Sequence, residues 1–213
     1  MATTKAFGKI AGSAIKKEAF VFKDGENVFR IVGGILPRYA YWLKGANNKD
    51  IPMECISFDR DQERFTNKET DWVQRMHPEL KCSWSYLVNC IDPADGKVKT
   101  LNLKKKMFAQ IMEAAESLGD PTDPVTGWDV VVKRSKNGPL AFNVDYSVMV
   151  LKLKPRALTE AELAAVAASE TIDAKFPRPT AEDQKAFLEK LAAGDTDEPE
   201  TDSSTSEAVS DLG

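Results

Sequence analysis

Histidine is almost missing from this chain, and cysteine is sparse. The 213 residues contain one histidine, His77, so any Ser-His or Cys-His catalytic pairing would have to pass through that single side chain. An enzyme is therefore disfavoured at the outset. The three cysteines, Cys55, Cys82 and Cys90, form an odd and thinly spread set, unlike the dense even sets that staple small secreted folds. No stretch approaches the roughly 20 apolar residues that a bilayer span requires, and the N-terminus lacks the charged, apolar, small-residue order of a signal peptide. The expectation is a soluble protein that stays in a reducing cytoplasm. A Gly-rich phosphate loop with Lys-Ser/Thr is absent, as is a GxGxxG turn, and no pair of carboxylates is singled out by spacing. No cofactor is expected.

Cys55, His77, Cys82 and Cys90 are the residue types of a Cys3His zinc site, but they lack a CxxC or HxxxC pair, and Cys90 falls inside an expected strand. Free thiols, buried or partly so, are the expectation, with no metal bound.

What the chain does have is a division of charge. Residues 1–156 carry 25 Lys and Arg against 19 Asp and Glu, a net of +6, whereas 157–213 carry 4 against 14, a net of -10. A basic front and an acidic rear fit a polyanion-binding surface followed by an interaction tail. Two solvated surfaces of opposite sign would give the same count, and charge alone does not choose between them.

The first twenty residues mix small side chains with Lys5, Lys9, Lys16 and Lys17 and have little period, which suggests a mobile basic arm. VFRIVGGILP from Val28 is a β-branched run closed by Pro37, a first strand with a bend or bulge at Gly33-Gly34. Residues 38–50 alternate aromatic and basic side chains and end in a Gly/Asn turn signal. Residues 59–80 are charge-rich, a long excursion with one helical turn near 71–76. The alternation in 82–91 places Trp84, Tyr86, Val88 and Cys90 on one face, and with the Pro-Ala-Asp-Gly turn and KVKTLNL it makes 82–103 a hairpin.

Met107, Phe108, Ile111, Met112, Ala115 and Leu118 then recur at helical spacing up to Gly119. WDVVVKR, an Asn137-Gly138 turn and 139–154 promise two or three closing strands. The fold class is mainly β, a small barrel or sandwich of the OB type with one main helix. Thr159 with Glu162 and, further on, Thr180 cap short C-terminal helices. Residues 195–213 hold seven acids and no base, and should be disordered. The expected layout is a basic arm at 1–24, an OB-like core at 25–156, a short helical segment at 157–194 and an acidic tail at 195–213.

Two groups of residues could hold a nucleic acid. Arg38, Tyr39, Tyr41, Trp42 and Lys44 interleave cations and rings, as do Lys81, Trp84 and Tyr86. Bases stack on such rings for about 1–3 kcal/mol each while the cations track phosphates. The same rings would also suit the core and rim of a barrel. Lys104, Lys105 and Lys106 stand where a strand ends and a helix begins, a place where cations oppose the helix dipole. A phosphate site would explain that cost, and Lys133 and Arg134 could form another wall of the same groove.

The FRIVGGILP strand, the aromatic-basic segment, Cys55, the block KCSWSYLVNCIDPADGKVKTLNLKKKMFAQI and the strand DPVTGWDVVVK resemble, over roughly residues 25–155, the core of the T4-type phage helix-destabilising, single-stranded-DNA-binding family. The resemblance implies an OB-fold core, cooperative and sequence-independent binding of single-stranded DNA, and work in phage DNA replication, recombination and repair inside the host cytoplasm. It supports Lys104, Lys105, Lys106, Trp84 and Tyr86 as groove residues. It also implies that the tail acids Asp195, Asp197, Glu198, Glu200, Asp202, Glu207 and Asp211 contact replication and recombination proteins. Residues 55–82 depart from the family pattern by keeping Cys55 without the CxxC pair, so the family's zinc is not implied, and its basic cooperativity motif has no match in the arm. The competing reading is a non-catalytic scaffold with a solubilising tail. RNA as the ligand stays open.

Overall fold

A computed structural model describes residues 18–45, 50–138 and 143–194 of the chain. Its frame is one antiparallel sheet of six strands, with helices on both faces.

The longest element is β1 (Gly25–Lys44), which runs straight through the proline expected to close it. Proline cannot donate to a ladder, so it survives in a strand only where its nitrogen faces no partner. On one side, β1 pairs with β5 (Ser83–Asp92) from Arg30 to Ala40. On the other, it pairs with β7 (Val130–Lys136) only up to Phe29 and with β2 (Asp50–Glu54) only from Ala40 onward. Pro37 sits in that gap. The register between β1 and β5 slips between Val32 and Ile35, with Gly33 at φ 71°, so the glycine pair is the bulge that the sequence suggests.

β5 turns back into β6 (Lys97–Leu103), as expected for the hairpin, and β7 pairs with β8 (Val144–Val148) to complete the sheet order β6-β5-β1-β7-β8. The connection from β7 to β8 spans 137–143, longer than the two-residue Asn-Gly turn read from sequence. Asn137 N–H donates to Asn143 O at 2.7 Å across its base. Lys133 and Arg134 lie inside β7. Within the charge-rich excursion a small hairpin forms from β3 (Phe58–Asp59) and β4 (Arg64–Phe65), followed by the helix α1 (Trp72–Met76).

The alternation of β5 divides its side chains between two cores. Val88 and Cys90, with Leu101 and Leu103 of β6, pack under α2 (Lys105–Leu118) against Met107, Ile111 and Ala114. Leu87 and Ile91 face the other way. There Leu87 meets Ile172 and Phe176 around α4 (Ile172–Lys175), and Ile91 meets Leu158 just before α3 (Glu160–Ala168). Within 157–194, α3 and α4 thus lie over the second face of the sheet. The last helix, α5 (Ala181–Ala192), lays Leu188 against Tyr41, Leu43, Cys55, Phe58 and Val73. Thr159 with Glu162 and Thr180 with Asp183 form the capping boxes that start α3 and α5.

The docked chain also begins earlier than the expected arm boundary at 24. Phe20 N–H donates to Thr100 O at 2.9 Å along the outer edge of β6, and Phe20 and Phe22 pack on Phe29. Lys5, Lys9, Lys16, Lys17 and the acids of 195–213 lie outside the described residues.

Candidate nucleic-acid interface

Strand pairing assembles the site. On β1, Pro37, Tyr39 and Tyr41 point to one face, and the register sets Tyr39 directly opposite Trp84 of β5, with Tyr86 two residues on. The ring centroids are 4.6 Å apart for Tyr39 and Trp84 and 5.0 Å for Trp84 and Tyr86, both edge to face. Phe65 of the small hairpin lies 4.9 Å beyond Tyr39, backed by Phe58 at 4.8 Å. At the other end Phe108 of α2 stacks on Tyr86 at 3.8 Å with ring planes 19° apart. A continuous row of rings, Phe65, Tyr39, Trp84, Tyr86 and Phe108, therefore crosses two strands and ends on the helix.

Each such pair contributes about 0.5–1.5 kcal/mol beyond the area it buries, so the row is held in place by its own members. Phe65 is 48% exposed, and the other four rings are only partly covered. Burial raises the phenol pKa of Tyr39 and of Tyr86 above the ordinary tyrosine value, so both stay neutral hydroxyls.

Cations gather at the helix end of the row. Lys104 is the N-cap of α2 and makes no side-chain capping bond, and the first turn carries no acid. Lys104 and Lys105 precede Phe108 by one turn. The Lys104 ammonium lies 5.6 Å from the Tyr146 ring of β8, whose hydroxyl accepts from Arg134 Nε at 3.3 Å. Arg134 is also ion-paired with Asp24. Lys106 reaches Asp145 at 3.6 Å, with both groups exposed. Lys105 and Lys81 are exposed and have no ion pair among the described residues. Helix start and β7–β8 hairpin thus share one basic corner.

Of the residues singled out from sequence, Tyr39, Trp84 and Tyr86 come together in the row, and Lys104, Lys105, Lys106 and Arg134 at the corner. The rest are placed elsewhere. Tyr41 is 3% exposed in the core, its hydroxyl 3.4 Å from Cys55 Sγ, so its ring offers no face to a base. Arg38, Trp42 and Lys44 alternate onto the opposite face of β1. There the Arg38 guanidinium is buried over the Phe176 ring at 5.4 Å, Trp42 Nε1 donates to Ser83 Oγ at 3.1 Å, and Lys44 pairs with Asp50 at 2.5 Å. Lys133 is exposed on the face of β7 opposite to Arg134.

The row and the corner also hold Phe65, Phe108 and Tyr146, which the sequence does not single out. Phe108 reads as core because it fits the helical period. Phe65 is a lone ring within ERFTN, where only the pairing of its hairpin reveals a partner.

Cys55 and Cys82 share the core cluster of Tyr41, where the hydrogen bond to Cys82, together with burial, holds the Cys55 thiol well above its ordinary pKa. Cys90 is buried further along the same face of the sheet, among the α2 residues, and His77 faces Glu79. Among the described residues, no group of three or more His, Cys, Asp or Glu side chains is placed to hold a metal ion, and no helix is long and apolar enough to cross a membrane.

The chain is 30% identical over 157 residues to a protein of Escherichia phage T5 named "Probable ssDNA-binding protein", an alignment that covers 68% of this chain and 59% of that protein. The chain thus spans less than two thirds of the relative's length. No family model matches the chain, and no solved structure does.

Proposed function

We propose that this protein binds single-stranded DNA without sequence preference and has no catalytic role, holding bases on the row Phe65-Tyr39-Trp84-Tyr86-Phe108 and phosphates on the lysines around the start of α2. The row itself carries the reading. Five partly open rings on one face, leading into an uncapped helix start rich in lysine, are what a sequence-tolerant single-strand binder needs and what a plain core does not. The name of the phage T5 relative points the same way.

On this reading the antiparallel sheet is the working face of an OB-type fold, as the T4-type resemblance implies. The protein coats single strands during phage DNA replication, recombination and repair in the host cytoplasm, while the seven acids of 195–213 recruit replication proteins and compete for the basic corner when DNA is absent.

Intrinsic tryptophan fluorescence tests it. Titration with poly(dT) should quench Trp84, duplex of equal length should not, and log K should fall against log salt by about 0.7 per phosphate contact. No quenching and no salt-dependent binding would leave the scaffold reading in its place. Equal quenching by poly(U) would make the ligand RNA as much as DNA.

A further inference from the structure

A second cluster of ring and cations lies outside the row. Trp72 opens α1, and the side chain of Gln184 on α5 fixes its backbone, accepting the N–H of Trp72 at 2.5 Å and that of Val73 at 3.3 Å. The indole is half-buried and packs on the same core cluster as Tyr39 and Trp84. Two cations attend this one ring. The Arg75 guanidinium is 5.1 Å from its centroid and the Lys185 ammonium 5.0 Å, one from each helix.

Both side chains are exposed. Arg75 has no ion pair among the described residues, and Lys185 has only Glu189, 3.7 Å away one turn along its own helix. The two acids nearest to Arg75 in sequence are engaged elsewhere: Asp71 is buried and accepts from Gln74 N–H at 3.0 Å, and Glu79 lies 3.4 Å from His77 Nδ1. Attraction to the ring face holds two like charges close together without neutralising either. The result is a rigid ring flanked by positive charge that is left for a ligand to satisfy.

We propose that Trp72, Arg75 and Lys185 form a second station for the phosphodiester backbone of a single strand, taking up DNA that runs past the Phe65 end of the row. This rests on the single-strand reading above. It adds a footprint: short oligonucleotides fill the row alone, and longer ones reach the α1–α5 station.

The test uses the full chain carrying R75A and K185A together, with oligo(dT) of increasing length and several salt concentrations. Both positions are exposed, and circular dichroism checks that the fold is kept. The expected result is wild-type affinity for the shortest oligonucleotides that bind, weaker affinity for longer ones, and a log-log salt slope shallower by about 0.7 per lost phosphate contact. Replacing Trp72 by Phe should remove the part of the quenching that grows with length. A double variant that matches wild type at every length overturns the station while leaving the row in place. So does one that binds DNA more tightly, since the pair would then be holding the acidic tail. Wild-type protein that binds no oligonucleotide of any length would sink the single-strand reading and the station with it.

Discussion

At the scale of single residues, exposure decides which rings can act on a ligand and which only hold the fold. Phe65 is the most open ring of the row, so Phe65→Ala should cost only about 0.5–1.5 kcal/mol of stability per lost ring contact while weakening binding of single strands by about 1–3 kcal/mol, the worth of one base on one ring. Parallel melting and titration of this variant check it, and unchanged affinity would remove Phe65 from the interface. Tyr41, two residues from Tyr39, gives the opposite result. Its ring fills the cluster with Leu43, Cys55, Phe58, Val73 and Leu188, so Tyr41→Ala should cost about 3–5 kcal/mol of stability. Tyr41→Phe removes only the contact with Cys55 Sγ and should bind DNA as wild type does. Two tyrosines at strand spacing in one aromatic-basic segment thus differ in exposure, because Tyr41 alone is covered by Leu43, Cys55, Phe58, Val73 and the distant Leu188.

At the scale of elements, the C-terminal helices are fastened to the sheet by polar contacts that local sequence does not announce. Gln184 is 0% exposed and, besides taking the N–H groups of Trp72 and Val73, gives its Nε2–H to Glu54 O at 3.0 Å. Gln184→Ala strands these backbone groups inside the protein, at about 1–3 kcal/mol for each one left unpaired. Urea denaturation should show the loss, with α1 and α5 the first to open in hydrogen exchange.

α3 is tied down by charge instead. Arg156 donates to both carboxylate oxygens of Glu162 at 2.8 Å and to Asp129 at 2.6 Å, and with help from Thr159 this holds the Glu162 pKa at about 2, against 4.5 for a free carboxyl. A lowered native pKa stabilises the fold fully above pH 4.5 and progressively less as pH falls towards about 2. Glu162→Gln should therefore be less stable than wild type at neutral pH and nearly equal to it near pH 2, with the two curves of stability against pH converging over that interval.

These contacts also mark how far sequence could be read. The 82–103 hairpin, α2 with its Gly119 stop, the Gly33 bulge and the capping boxes of α3 and α5 follow from neighbours a few residues apart, and local pattern carries them. The continuity of β1 through Pro37 depends on where its partners stop. The gathering of Phe65, Tyr39 and Phe108 depends on pairing between distant strands, and the docking of 157–194 on bonds such as Asn89 Nδ2 to Glu170 O at 2.9 Å. A periodic pattern names the face of an element but not what will cover it, and only the contacts with Phe176, Ser83 and Asp50 separate Arg38, Trp42 and Lys44 from Tyr39.

At the scale of the whole molecule, the division of charge becomes a prediction about competition. Lys104, Lys105 and Arg134 gather at one corner, proposed above to take phosphates, and the same chain carries seven acids and no base after Gly194. A tethered segment of opposite sign meets such a corner at high effective concentration, set by the length of its tether and not by the protein's dilution. Removing residues 195–213 should therefore tighten the binding of single strands at low salt. The gain should shrink as salt is added, because screening weakens the tail's attraction together with that of the DNA, over a Debye length of about 10 Å at 0.1 M. Truncated protein should accordingly show a steeper dependence of log K on log salt than the full chain, with the two lines meeting at high salt. Lines that coincide throughout would mean that the tail ignores the corner and acts only on partners. A truncated protein that binds more weakly would mean that the acidic segment supports the interface instead of competing for it.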